Sequence, residues 1–148
     1  MKVQFKQVGI TAMIPECATE DSAGYDMFAE LDDPYDTVTV PPHGAVMIRS
    51  GIAAAIPKGY AGFIFARSGL STKKGLRPAT CVSVIDADYR GEIGLPVRND
   101  GDKPQVIEHH DRIAQMVFMP ILKPEIEVVY DFDDETERGT GGFGSTGK

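Results

Sequence analysis

Cysteine is scarce in this chain. Cys17 and Cys81 are the only two among 148 residues, and they form no C-x-x-C pair. That excludes a disulfide framework and a thiol-based zinc or redox motif, and leaves two reduced, structural thiols. Cations are also in deficit, with 15 Lys and Arg against 22 Asp and Glu and a formal net charge of -7. Nucleic-acid and anionic-membrane surfaces need Lys and Arg gathered on one face, so neither partner is expected, and an anionic ligand would need a local basic cluster. A long apolar run is missing at the amino terminus, where MKVQFKQVGI alternates polar and apolar residues. It reads as a strand rather than a signal peptide, which makes the cytoplasm the expected compartment. No repeat of fixed period interrupts the chain.

What is present fits one domain. With 42% hydrophobic and 25% charged residues there is enough apolar material for a real core. The runs VTV, AVMIRSGIAAAI, GFIFA, CVSVI, EIGLPV and RIAQMVFMPIL are separated by Gly, Pro, Asn and Asp, and most of the prolines sit between runs, where they end strands and leave no room for long helices. The expected fold is all-β, a jelly-roll-like barrel or sandwich. One short helix should follow Arg67, with Ser68 as N-cap, Leu70 facing inward and Lys73 and Lys74 in the last turn before Gly75. The β core should span residues 1–130. Residues 131–148 turn from acidic DFDDETE to glycine-rich RGTGGFGSTGK and read as a flexible tail.

Four segments carry candidate chemistry. At the helix start, Arg67, Ser68 and Gly69 offer a cation, a hydroxyl and free backbone N–H groups to phosphate oxygens, although the same residues suit a capped surface turn. VIDADYRGEIGLPV reads as a β-hairpin with Asp86, Asp88 and Gly91 at its turn; a carboxylate there can take a proton from a water that attacks phosphorus if geometry allows, while plain turn chemistry is the commoner reason for such a pair taken alone. HHDRIAQMVF puts Gln115 and Arg112 on the polar face of a strand with Ile113 packed inward, and adjacent His109 and His110 on opposite faces, with no ligand cluster around them. In the tail, Arg138, Phe143, Ser145 and Thr146 stand among glycines, and a flexible segment with a cation and an aromatic ring suits a lid over a ligand with phosphates and a flat base.

Taken in order, SAGYDMFAE, ARSGL, VIDADYRGEIG, DRIAQ and RGTGGFGSTG resemble the five motifs of the trimeric dUTPase family, over Ser22 to Gly147. The resemblance implies a jelly-roll homotrimer that splits dUTP into dUMP and pyrophosphate with Mg²⁺, limiting uracil in DNA and supplying dUMP. Each of three active sites would be shared between subunits, with the tail of one chain closing over a site formed by the others. It makes Asp86 the general base for attack on the α-phosphorus and Tyr89 the residue that leaves no space for a 2′-hydroxyl. Uracil would lie between Thr80 and Gly94, read by backbone groups that include Val84 and Ile85. Arg67, Ser68, Gly69 and Gln115 would hold phosphates, Arg138 would reach the γ-phosphate, and Phe143 with Gly144 would cover the base. Mg²⁺ would be held by phosphates and water, with Asp26 at most an outer-shell or structural carboxylate. Three residues depart from the family pattern: Thr80 where Asn is frequent, Ser83 where Gly is usual, and His110 where Gly commonly precedes DRIAQ. The alternatives are a dCTP deaminase or bifunctional deaminase-dUTPase, which needs a catalytic Glu in a differently patterned site, and a dUTP-sensing regulatory protein.

Overall fold

The structure, a computed structural model, describes residues 1–142. Ten strands and one helix occur among them, in the order β1 (Gln4–Gln7), β2 (Tyr25–Phe28), β3 (Thr37–Val40), β4 (Ala45–Ala55), β5 (Tyr60–Phe65), α1 (Ser68–Lys74), β6 (Leu76–Pro78), β7 (Ser83–Ile85), β8 (Glu92–Asn99), β9 (Gln105–Glu108) and β10 (Arg112–Pro120). They form two four-stranded sheets, ordered β1-β4-β8-β6 and β2-β10-β5-β7, and a β3-β9 ribbon. All pairs are antiparallel. Mostly β with one short helix is therefore right; among the described residues the sheets are open, so the closed-barrel alternative is not.

Alternation explains the layering. On β8, Ile93, Leu95 and Val97 are buried while Glu92, Gly94, Pro96 and Arg98 face outward or are half-covered. The inward rows of both sheets meet in one core, in which Ile48, Ile93 and Leu95 from the first sheet join Met27, Ile64 and Met116 from the second. β4 is the longest strand and is broken at Gly51, which adopts φ +64, where its register against β8 shifts between Arg49 and Ala53. A side chain at residue 51 would collide with the Glu30 carboxylate, so glycine is required there by both φ and space.

Three local expectations need correction. Arg67, not Ser68, is the N-cap of α1, and it makes no side-chain cap bond; Ser68 is already helical. Gly75 does close the helix, in the left-handed conformation after Lys73 and Lys74. β7 and β8 do not pair as a hairpin: β7 joins β5 in one sheet, while β8 lies between β4 and β6 in the other. The turn through Asp86 and Gly91 thus bridges the sheets, which opens a cleft between consecutive strands. His109 and His110 lie in the turn before β10 rather than on a strand, and their rings stack at 3.8 Å instead of facing apart. His110 takes φ +65, the left-handed conformation that glycine would adopt without strain.

Candidate active site

The first cleft surrounds Asp26. β10 pairs with β2 and with β5, and its register against β2 shifts between Arg112 and Ala114. That extra residue lets Ile113 and Ala114 both be buried and brings Arg112 and Gln115 to the same side, which strict alternation would not allow. Asp26, itself 8% exposed, accepts from Arg67 Nε at 2.7 Å and from Arg112 Nη1 at 3.4 Å. Gln115 Nε2 donates to the Ala66 carbonyl at 2.9 Å, which ties β10 to the approach of α1. Gly24 makes room for it, since a Cβ there would lie 2.6 Å from Gln115 Oε1. Arg67, Ser68, Gly69 and Gln115 line this cleft together with Lys73 and Lys74. The two lysines were visible in the sequence only as helix-ending cations; their place in the cleft depends on how α1 folds back, which local pattern does not encode.

The second cleft opens on the outer face of β8. It is lined by Ser83, Val84, Ile85, Asp86, Tyr89 and Gly94, joined by Met47 from β4. The Tyr89 ring is held by its hydroxyl, which donates to the Glu92 carbonyl at 2.9 Å. Gly91 permits this, because any Cβ there would sit 2.4 Å from the Tyr89 hydroxyl. Thr80 reaches the rim through Ser83, the two hydroxyls lying 2.6 Å apart. Between them Cys81 adopts φ +64. At the other edge Glu92 bonds the Gly51 N–H at 2.9 Å and pairs with Arg49, whose guanidinium is held above its usual range by Glu92 first and Asp32 second. Asp86 is exposed and also lines a neighbouring cleft with Lys58, Arg90 and Lys123, three cations that sequence reasoning left unassigned.

The expected site residues thus fall into two groups: the cation and amide set around α1, and the carboxylate, tyrosine and apolar set around β8. No cleft holds both groups among the described residues. Arg138 joins neither; it lies on the exposed stretch after β10, where its Nε donates to the Gly141 carbonyl. Phe143 and Gly144 lie outside the described residues. No group of three or more His, Cys, Asp or Glu side chains suited to a metal occurs among the described residues, and both Asp26 oxygens already face guanidinium groups.

A family model for dUTPase matches residues 11–147. The chain belongs to the dUTPase family. Among curated dUTPases, the deoxyuridine 5′-triphosphate nucleotidohydrolase of Desulfitobacterium hafniense is 45% identical over 148 residues, covering 99% of this chain and 95% of that one. Among solved dUTPase structures, a mutant of the Staphylococcus bacteriophage 80alpha enzyme with dUpNHpp superimposes with a TM-score of 0.87 at 32% identity, over 99% of each chain. A mutant dUTPase from phage phi11 of S. aureus, described for its coordination of a structural Mg(II) ion, gives a TM-score of 0.79 at 27% identity, over 90% of this chain and 100% of that one. The family assignment drawn from the five motifs is therefore correct, and the fold that carries four of them, three on strands and one at the start of α1, matches solved dUTPases.

Proposed function

We propose that the chain hydrolyses dUTP to dUMP and pyrophosphate with Mg²⁺, as a cytoplasmic jelly-roll homotrimer. The observation that carries this reading is the split site: an exposed carboxylate beside an apolar, base-sized cleft, and a separate cationic cleft that suits a polyphosphate. One chain supplies each half, and neighbouring chains of a trimer bring unlike halves together.

In the β8 cleft, Val84 and Ile85 flank the base and Gly94 exposes β8 backbone to it, so that an edge with reversed donors and acceptors leaves buried groups unpaired. The fixed Tyr89 ring lies under the sugar and excludes a 2′-hydroxyl by bulk. Thr80 shapes this end of the pocket through its bond to Ser83. Asp86 orients a water for in-line attack on the α-phosphorus and takes its proton, with pyrophosphate leaving. Arg67, Ser68, Gly69 and Gln115 of a neighbouring chain hold the phosphates, and Arg67 is kept in place by Asp26. Mg²⁺ would be held by the phosphates and water and would neutralise charge on the leaving group, while Asp26, paired with Arg67 and Arg112, serves as a structural carboxylate. Residues 131–148 form the closing tail, with Arg138 on the γ-phosphate and Phe143 and Gly144 over the base.

Assembly is supported by the stretch after β10. Leu122, Ile126, Val128, Tyr130 and Phe132 are each at least 86% exposed, in an almost unbroken alternation of the kind a strand buries against a partner. A neighbouring copy is the cover that fits.

The test is pyrophosphate release from dUTP, dCTP, dTTP and UTP with Mg²⁺, in the native chain and in Asp86→Asn. Release should be confined to dUTP and fall by roughly 10²–10⁴-fold in the variant, the usual contribution of a general base. Ammonia from dCTP would move the reading to a deaminase; tight dUTP binding with no release in either protein would make it a sensor.

A further inference from the structure

One wall of the β8 cleft has no counterpart among the motif residues. Met47 lies on β4, is 66% exposed, and lines the cleft with Val84, Tyr89 and Gly94. The β4–β8 register sets Met47 opposite Pro96 and Arg49 opposite Gly94, so Met47 and Gly94 are diagonal neighbours on the outer face of the sheet. Gly94 has no positive φ that would demand glycine. What demands it is space: a Cβ on residue 94 would come within 2.9 Å of the Met47 sulfur and 3.7 Å of its terminal methyl. The thioether from one strand fills the volume that the next strand leaves empty.

We propose that Met47 is a specificity-determining residue of the base cleft, its thioether forming the wall that sets the width available to the pyrimidine ring. The assignment rests on the reading of this cleft as the base pocket. The chemistry suits the task, since a polarizable thioether packs well against a flat ring and its unbranched chain follows the ring edge. Shortening it to alanine removes that contact and leaves a void on the floor of the cleft, beside Gly94, which has no side chain to fill it. A base carrying an added methyl group then meets less resistance.

The experiment is steady-state pyrophosphate release from dUTP and dTTP with Mg²⁺ by the full chain, in Met47→Ala, Met47→Leu and Tyr89→Ala. In Met47→Ala the KM for dUTP should rise about tenfold with kcat nearly unchanged, and the ratio of kcat/KM for dTTP over dUTP should rise by a similar factor, the size of effect one methyl group produces in an apolar pocket. Met47→Leu, which restores bulk, should return both toward the native values. If KM and the dTTP ratio stay at native values in Met47→Ala while Tyr89→Ala raises KM, the Met47 assignment is overturned and the base pocket stands. If neither variant moves KM, both fall together. A loss of kcat shared equally by dUTP and dTTP also overturns the assignment, because a wall residue acts through binding of the base.

Discussion

Asn99 has no exposed surface, yet its side chain is fully used. Nδ2 donates to the carbonyls of Val40 at 3.1 Å and Lys103 at 2.7 Å, and Oδ1 accepts from the Gly101 N–H at 2.9 Å. This one amide ties the end of β8 to the end of β3 and to the loop that leads into β9. Nothing in the sequence marked it, because an Asn before Asp100 and Gly101 reads as ordinary turn chemistry; its burial arises only when β3 folds against β8. Asn99→Ala would strand two carbonyls and one N–H in the interior. It should lower stability by about 2–4 kcal/mol in a urea titration, with the slope of the transition unchanged.

At the scale of elements, what could be read was what depends on local alternation. β1, β3, β4, β5, β7, β8 and β10 follow from short apolar or alternating runs bounded by turn residues, and the helix end follows from Gly75. β6 was missed because Leu76, Arg77 and Pro78 are too few to show a period, and β7 was placed in a hairpin because sequence adjacency favours pairing between neighbours. The bulge that brings Arg112 and Gln115 to one side of β10 is likewise set by the partner strand rather than by the residues themselves. Helix α1 offers a direct check on the locally encoded part. Gly75 has φ +66, and a Cβ there would lie 3.2 Å from the Gly101 backbone nitrogen. Gly75→Ala should therefore cost about 1–2 kcal/mol. Because the helix carries Ser68, Gly69, Lys73 and Lys74 into the cationic cleft proposed to hold the phosphates, the same variant should raise the KM for dUTP, measured alongside thermal unfolding.

For the whole molecule, the informative fact is that the candidate site residues on the β core are divided in space. Sequence order lists Arg67, Asp86 and Gln115 as though they shared one cavity, whereas the folded chain separates Asp86 from Arg67 and Gln115. Motif spacing cannot report that separation, because it is a property of sheet topology: α1 and β10 frame one cleft, and the turn between β7 and β8 frames another. The consequence is genetic as much as structural. If each working centre borrows its halves from different chains, then two defective alleles can rescue one another. Asp86→Asn chains keep a sound cationic half, and Arg67→Ala chains keep a sound carboxylate half. Co-folded in equal amounts, the two inactive proteins should regain roughly a quarter of native activity per site by random assortment in a trimer, a recovery that unmixed samples and samples combined without refolding would lack.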